Sequence, residues 1–235
     1  MTAMAVSGGH AYIINHSQLG VALIRCSIAA EGTLSGCADT GVTGLVDNYG
    51  MTAHGSNLYI ASYRAPHVRK CEIGDDGSVA ACGDAGFPQA MAVMVEDIRL
   101  VDSTAYILDY DLQQVSTCAV LPNGSLSACK DAGATGLVEP SGFAISGNHM
   151  YLTNGADDVV RCIIDGDGSL TDCRGAGTDG FAYATQVAVR GSTVYITDGD
   201  EADVTICPAG SDGLLTGCSV IQGGTDAALN SIVLR

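Results

Sequence analysis

Short apolar segments separated by polar turns recur five times along the chain and predict β-strands. The first strand of each repeat is small and apolar: Met4–Ser7, Met51–His54, Ile98–Val101, Phe143–Ser146 and Val187–Arg190. A polar turn follows, and the second strand then starts on a tyrosine in all five repeats: Tyr12, Tyr59, Tyr106, Tyr151 and Tyr195. Runs of this length are typical of strands, and no segment has a helical period of useful length.

The third and fourth strands of each repeat are marked by two cysteines eleven positions apart: Cys26 with Cys37, Cys71 with Cys82, Cys118 with Cys129, Cys162 with Cys173, and Cys207 with Cys218. The midpoint of every pair is an X-Gly dipeptide, such as Asp167-Gly168, which is a strong hairpin signal. In a two-residue loop the paired cysteines would lie opposite each other, with Cα atoms about 4.5 to 5.5 Å apart, a distance that a disulfide tolerates. We therefore predict five disulfides, each within one hairpin, because ten free buried cysteines would explain neither the spacing nor the centred glycines.

Four short antiparallel strands with a period of 44 to 47 residues match the blade of a β-propeller. The predicted fold is all-β: a single propeller domain over residues 1–235 with five four-stranded blades, each with its own disulfide. The repeats cover about residues 4–45, 46–90, 91–139, 140–184 and 185–230. Residues 90–96 add length before the third tyrosine and predict a bulge or a longer loop between blades.

The end of the chain repeats the first-strand pattern a sixth time, over residues 231–235. Three interpretations remain open for this surplus strand. It competes with Met4–Ser7 to close the propeller, or the chain was cut from a longer array, or it pairs with a neighbouring molecule by β-addition. The last would give a homo-oligomer or a filament.

The repeats resemble those of a known family. Tyr151-Leu-Thr-Asn154 with the following Gly155, and Tyr195-Ile-Thr-Asp198 with Gly199, resemble the Tyr-Val-Thr-Asn repeats of lactonase-like β-propellers, which are similar in turn to NHL repeats. The resemblance covers nearly the whole chain and implies the propeller fold. It implies less about activity, because such repeats occur in sugar-lactone hydrolases, in surface-layer proteins and in binding scaffolds.

Composition narrows the partners and the compartment. Twenty-six acidic against ten basic residues give a net charge of −16, which argues against nucleic acid or an anionic membrane surface as a partner. No apolar run approaches the roughly 18 residues of a membrane-spanning helix. Disulfides indicate an oxidising compartment, so we expect a secreted, periplasmic or cell-surface protein whose sequence, running from Met1 straight into the first repeat, corresponds to a processed form.

Polar residues at the ends of the second strands are candidate metal ligands. On one face of a propeller, Asp109, Asn154 and Asp198, together with Asp200 in the following loop, would supply the oxygen ligands that Ca²⁺ prefers. The alternative is that Asp and Asn at these junctions cap their own backbone.

Basic residues suggest other contacts. His54, Arg99 and Arg190 fall on first strands, where they would face a central channel and bind an anion or a sugar hydroxyl; the alternative is a structural channel lining. Turn residues His10 and His149 are expected to be solvated. The basic cluster of Arg64, His67, Arg69 and Lys70 is either a solvated edge, since Arg25 and Arg161 align with Lys70, or a surface complementary to acidic loops of a second copy.

The search for catalytic motifs is mostly negative: the chain has no Gly-x-Ser-x-Gly elbow, phosphate loop, His-Glu-x-x-His or Cys-x-x-Cys. The sequence therefore predicts an exported, non-catalytic structural or binding module with a protein or carbohydrate ligand. Self-assembly is one of the open interpretations of its surplus strand, and no cofactor is predicted, with Ca²⁺ at the candidate ligands as the alternative. The alternative is a metal-dependent lactonase-like hydrolase, which the resemblance implies, with Asn15, Asp109, Asn154 and Asp198 around a divalent metal. Paired acids for glycoside hydrolysis stay open, because their separation is not readable from sequence.

Overall fold

The computed structural model of the protein describes residues 3–17, 20–155, 158–179, 183–199 and 203–223. These residues belong to two compact units. Unit 1 comprises the described residues within 1–107 and 118–130, and unit 2 comprises those within 108–117 and 131–234. Residues 231–235, and with them the predicted surplus strand, lie outside the described part of the chain.

The described residues form five four-stranded antiparallel sheets, and within each sheet the strands lie side by side in chain order. The first two sheets contain β1 (Met4–Ser7), β2 (His10–Ser17), β3 (Gly20–Ile28), β4 (Leu34–Asp39), β5 (Asn48–His54), β6 (Asn57–Ser62), β7 (Val68–Glu72) and β8 (Gly83–Asp84). The third contains β9 (Val95–Val101), β10 (Thr104–Asp109), β11 (Gln114–Val120) and β12 (Leu126–Asp131). The last two contain β13 (Phe143–Ser146), β14 (His149–Asn154), β15 (Asp158–Ile164), β16 (Leu170–Asp179), β17 (Ala184–Arg190), β18 (Thr193–Asp198), β19 (Val204–Pro208) and β20 (Ser219–Ile221).

This architecture confirms the predicted fold class, an all-β propeller of five four-stranded blades. The lengthened segment before the third blade contains a single 3₁₀ turn, Gln89–Met91, and then enters β9. No helix in the described residues has the length and apolar character that a helical membrane crossing needs.

All five predicted disulfides are present, each within one hairpin, with Cα–Cα distances of 4.0 to 4.2 Å. These distances are slightly shorter than the predicted range. The pairing is confirmed as the spacing indicated: Cys26 with Cys37, Cys71 with Cys82, Cys118 with Cys129, Cys162 with Cys173, and Cys207 with Cys218.

The second cysteine of each pair differs from the first in its surroundings. Cys37, Cys129 and Cys173 lie on fourth strands, as predicted, but Cys82 and Cys218 come just before β8 and β20, which corrects the prediction for those two hairpins. Cys37 and Cys218 are exposed, and Cys82, Cys129 and Cys173 are partly buried, whereas every first cysteine is at most 2% exposed. The fourth strand is the last of its sheet, so each disulfide joins a buried strand to an edge of the blade.

The hairpin loop is longer than the two residues considered in the sequence analysis. In the first hairpin the Ala29 N–H donates to the carbonyl of Thr33, so three residues form the loop, and the last of them, Gly32, has a φ of +88°. This is the hairpin loop in which glycine occupies the left-handed position.

A bulge corrects the offset that the longer loop creates. The β3–β4 register shifts by one between Arg25 and Ser27, and Gly36, just before the second cysteine, has a φ of +58°. Ala128, Asp172 and Gly217 have positive φ at the same place in their hairpins. Because the bulge removes the one-residue slip, the cysteines still face each other.

The second strand β6 is buried on both faces, since a blade packs on each side of it. Leu58 and Ile60 pack in a cluster with residues of the first blade, including Tyr12 and Leu23. Tyr59 and Ala61, which alternate with them, pack in a second cluster with residues of the third blade. In unit 2 a comparable cluster joins the last two blades through Tyr151, Val187 and Ile196, among others. Alternate side chains of a second strand, its tyrosine among them, therefore pack against different neighbouring blades.

Polar contacts from one blade to the hairpin tip of the next add to this packing. The Tyr12 hydroxyl donates to the carbonyl of Gly77 at 3.0 Å, and the Tyr59 hydroxyl donates to the carbonyl of Gly124 at 2.7 Å. The cations Arg25 and Lys70 donate to the carbonyl just before each of these glycines, at 2.9 and 2.6 Å. The carbonyl groups of the X-Gly hairpin tips therefore accept hydrogen bonds from the preceding blade.

These contacts correct two expectations about surface residues. Lys70 and Arg25 do not form a merely solvated edge, because each bonds a hairpin tip. His10 and His149 are partly buried rather than solvated, and a Cβ placed on Gly77 or Gly213 would lie 2.5 Å from their imidazole rings. Burial and the nearby Arg161 guanidinium lower the pKa of His149 below its usual value.

Candidate functional site

A slot between neighbouring blades of unit 1 brings a carboxylate against bare backbone. Gly50 lies at the start of β5, and Asp97 lies at the start of β9 in the next blade. A Cβ on Gly50 would lie 2.5 Å from Asp97 Oδ1 and 2.6 Å from both Asp97 Cα and the carbonyl oxygen of Glu96. Only glycine therefore allows β9 to lie this close and allows the Asp97 carboxylate to occupy the slot.

Arg99, two residues along β9, forms an ion pair with Asp97 through Nη1. Nη1 also donates to the carbonyl of Ile98 at 2.9 Å, and the Asp97 carboxylate accepts the Ile98 N–H at 2.8 Å. The Asp97 side chain is 1% exposed, whereas the Arg99 side chain is 27% exposed. The buried carboxylate therefore pairs with an arginine whose side chain is partly exposed.

A second carboxylate precedes Asp97. Glu96 is 4% exposed and close enough to Tyr49 on β5 to raise the pKa of that phenol, although burial of Tyr49 is the larger cause. Asp97 and Arg99 thus form an ion pair where β5 meets β9, and the neighbouring Glu96 acts on Tyr49. We call these four residues the acid–arginine cluster.

Two loops beside this cluster are joined by several hydrogen bonds. The Tyr63 N–H donates to the carbonyl of Asp47 at 2.9 Å, and Arg64 Nε donates to Asp47 Oδ2 at 2.6 Å. The Ser62 hydroxyl donates to the carbonyl of Val46 at 2.9 Å. The rings of Tyr49 and Tyr63 lie with their centroids 6.4 Å apart and their planes tilted by 50°.

The equivalent slot in unit 2 is neutral. Gln186 at the start of β17 lies over Gly142, where a Cβ would be 2.6 Å from its side-chain nitrogen, and that nitrogen donates to the carbonyl of Ser141 at 3.2 Å. Hydroxyl groups complete this slot: Thr185 Oγ1 lies 2.9 Å from Thr197 Oγ1. Unit 2 therefore repeats the geometry of the slot without its charge.

The predicted metal ligands lie on separate strands, where their oxygens meet backbone N–H groups. Asp109 Oδ1 accepts the Leu112 N–H at 2.9 Å, Asn154 Oδ1 accepts the Val138 N–H at 2.6 Å, and the Asp198 carboxylate accepts the Tyr183 N–H at 3.3 Å. Asp200 lies outside the described residues, and Asn15 is exposed on β2. Among the described residues no three His, Cys, Asp or Glu side chains gather as a metal site would require. Because Asp200 of the predicted set lies outside the described residues, a metal at this set stays a prediction.

The predicted binding residues fall in different units. His54 ends β5 and Arg99 lies on β9, both in unit 1, whereas Arg190 ends β17 in unit 2 and is exposed. Of the three, Arg99 belongs to the acid–arginine cluster. In the basic cluster, His67 is buried and Arg64 pairs with Asp47 of its own blade.

Sequence reasoning selected Arg99 but missed Glu96, Asp97 and Tyr49. Aligning the repeats on their first strands puts Ala3, Gly50, Asp97, Gly142 and Gln186 at one position. That position has a residue with little or no side chain in blades one, two and four and a polar residue in blades three and five, and the Gly–polar neighbours form the two slots. This departure from strict repetition is the sequence feature that could have identified the slot residues.

Comparisons with known proteins agree on the fold. No family model matches the chain, and no curated protein matches it. A Bacteroides fragilis protein named for 6-phosphogluconolactonase activity is 17% identical, with a TM-score of 0.68 over 99% of this chain and 73% of that one. A periplasmic gluconolactonase from Pseudomonas aeruginosa is 15% identical, with a TM-score of 0.63 over 95% of this chain and 70% of that one. The fold is that of the lactonase-like β-propellers.

The same fold also occurs in a structure that is not named as a lactonase. A chain of a nidogen/laminin complex is 12% identical, with a TM-score of 0.67 over 92% of this chain and 78% of that one. At these identities the likeness establishes the lactonase-like propeller fold, and the chemistry must be argued from the site.

Proposed function

We propose that the protein is a hydrolase that opens the ring of a sugar lactone at the acid–arginine cluster of unit 1. The observation that carries the proposal is the pairing of Arg99, partly exposed, with Asp97, which is buried against Gly50. The neutral slot of unit 2 offers no comparable charge.

This proposal corrects the expectation of a non-catalytic structural or binding module that assembles through a terminal strand. Two of the three similar structures described above are named for lactonase activity, which favours the hydrolase alternative over the structural one. The sequence-based expectation failed because it searched for motifs, and this site has none.

Hydrolysis of a lactone requires a donor to the carbonyl oxygen and an acceptor for the proton of the attacking water. Water attacks the carbonyl carbon of the lactone, the ring C–O bond breaks, the ring oxygen takes up a proton, and the product is an open aldonate with one proton released. Arg99 donates to the carbonyl oxygen as negative charge develops on it, and preorganised donors of this kind contribute about 10²- to 10³-fold to the rate. Glu96 accepts the proton of the attacking water. Asp97 acts through Arg99 and is a positioning residue.

Calcium stays a prediction. Asp109, Asn154 and Asp198 bond backbone N–H groups in the described structure, so no step of the reaction is assigned to a metal there. Metal analysis of the purified protein, with activity measured before and after chelation, tests this separately.

We also propose that the protein is exported. Five disulfides fit an oxidising compartment, and one similar structure is described as periplasmic.

A pH-stat assay tests the function by following acid release from gluconolactone and 6-phosphogluconolactone above the spontaneous rate. Arg99→Gln should lower kcat/KM about 100-fold or more, because the oxyanion loses its donor. Arg174→Gln is the matched control: it removes an exposed arginine that pairs with Asp172 in unit 2, and it should keep full activity. Equal activity in the Arg99→Gln variant and the wild type, or no acid release by the wild type, would overturn the proposal.

A further inference from the structure

Tyr49 and Tyr63 form an aromatic corner at the edge of the acid–arginine cluster. Tyr63 is 38% exposed, although the protein has few aromatic residues and buries most of its second-strand tyrosines almost completely. A tilt of 50° makes the two rings the walls of a corner rather than a flat stack. Glu96 lies near the corner, since its charge acts on the Tyr49 phenol.

Hydrogen bonds hold the backbone of the Tyr63 side of the corner without any ligand. Tyr63 is fixed by its N–H bond to Asp47, and the turn that follows it is closed by the Ser62 N–H, which donates to the carbonyl of His67 at 2.8 Å. The Arg64 N–H donates to the Ser62 hydroxyl at 3.3 Å. Such preorganisation lowers the entropy that a ligand must overcome on binding.

The tyrosine hydroxyls distinguish this corner from the packing between blades. Tyr12 and Tyr59 use their hydroxyls to bond hairpin tips. Within the described part of the chain, no hydrogen bond is made by the hydroxyls of Tyr49 and Tyr63. One exposed and one partly buried aromatic ring, neither hydroxyl of which is used in packing, are suited to a ligand that has both an apolar face and hydroxyl groups.

The charges of the residues around the corner narrow the class of ligand further. Arg64 is paired with Asp47, with side chains 69% and 41% exposed, so the rim of the corner presents donors and acceptors with little net charge. We infer that the Tyr49–Tyr63 corner is a subsite that stacks on the neutral polyhydroxylated ring of a sugar lactone, with Asp47 and Arg64 bonding its hydroxyls. This inference rests on the proposed function and adds to it the residues that would determine substrate specificity.

Binding of D-glucono-1,5-lactam tests the subsite without catalysis, because this cyclic amide keeps the ring and the hydroxyls and resists hydrolysis. Measured by calorimetry, Tyr63→Ala should weaken the Kd about tenfold, whereas Tyr63→Phe, which keeps the ring, should stay within about threefold of the wild type. Tyr110→Ala, which removes a partly buried tyrosine from unit 2, is the matched control and should bind like the wild type.

The outcomes separate the two proposals. Tyr63-dependent lactam binding by a protein that does not hydrolyse lactones would support the subsite and overturn the hydrolase. Hydrolysis that depends on Arg99, with KM unchanged in the Tyr63→Ala variant, would support the hydrolase and overturn the subsite. Failure of the wild type to bind the lactam, or binding of tetramethylammonium in its place, would also overturn the subsite.

Discussion

The slots of units 1 and 2 share one geometry and differ in chemistry. In both, a glycine within or just before a first strand (Gly50 or Gly142) allows a polar side chain of the next blade (Asp97 or Gln186) to lie on its backbone. Unit 1 fills this place with a carboxylate and an arginine, whereas unit 2 fills it with an amide and hydroxyl groups. A repeat can therefore keep its packing while one copy acquires reactive groups.

The two slots also differ in whether they contain a buried charge. Neutral hydroxyl and amide groups in unit 2 bond one another, as buried polar groups usually do. Asp97 in unit 1 is instead a buried charge, which is tolerated because Arg99 and the Ile98 N–H compensate it. A buried charge in one slot where its counterpart is neutral is a reason to look for function there.

The largest expected effect comes from making the unit 1 slot neutral. Asp97→Asn keeps the size of the side chain but removes the charge that orients Arg99, so kcat should fall about 100-fold or more while KM changes little. The measurement is steady-state kinetics, with the melting temperature recorded as a check on folding. A fall in melting temperature without a fall in kcat would show that Asp97 serves stability alone.

Adding a methyl group to each slot glycine comes next. Gly50→Ala places a Cβ against backbone atoms of Glu96 and Asp97, which cannot move aside, so the free energy of unfolding should fall by about 2 to 3 kcal/mol. Gly142→Ala meets the end of the flexible Gln186 side chain and should cost about 1 kcal/mol or less. Denaturant unfolding of both variants measures the two costs, and equal costs would contradict the comparison of the slots.

A smaller effect separates the tyrosines of the two units. Tyr59→Phe in unit 1 removes a 2.7 Å hydrogen bond to the hairpin tip at Gly124 and should cost about 1 kcal/mol. Tyr195→Phe in unit 2 should be nearly neutral, because Tyr195 is only partly buried and no hydrogen bond of its hydroxyl occurs among the described residues. Thermal or denaturant unfolding compares the pair, and a larger loss for Tyr195→Phe would refute the assignment.

The smallest effect concerns pH and belongs to unit 2. The pKa of His149 in the folded protein is lower than that of an ordinary histidine, about 6.5, because burial and Arg161 disfavour the charged imidazole. The unfolded chain therefore binds this proton more readily, so the protein should lose stability as the pH falls below about 6.5 and stop losing it below the folded pKa. His149→Gln should flatten this part of a plot of melting temperature against pH, and an unchanged slope would exclude His149 as its source.

Much of the fold follows from repetition in the sequence. The cysteine spacing and the tyrosines predicted the hairpins, the blades and every disulfide, because the same spacing of cysteine, glycine and tyrosine occurs in each repeat. Loop length was missed because the bulge before the second cysteine uses different residues, Gly36, Ala128, Asp172 and Gly217, and so leaves no uniform signature.

The site was less predictable because it depends on a break in the repeat. Asp109, Asn154 and Asp198 attracted attention since they recur, and recurrence reflects their capping of backbone. Asp97 and Glu96 occur in one blade only, and their importance depends on Gly50 and Tyr49 in another. Only the pairing of blades in space brings these residues together.

Residue-resolved NMR with D-glucono-1,5-lactam tests most directly whether the charged slot is the functional one. Titration should shift the backbone amide signals of Gly50, Asp97 and Arg99 in unit 1 and leave those of Gly142 and Gln186 in unit 2 unchanged. Shifts confined to Gly142 and Gln186, or of equal size in both slots, would contradict the account.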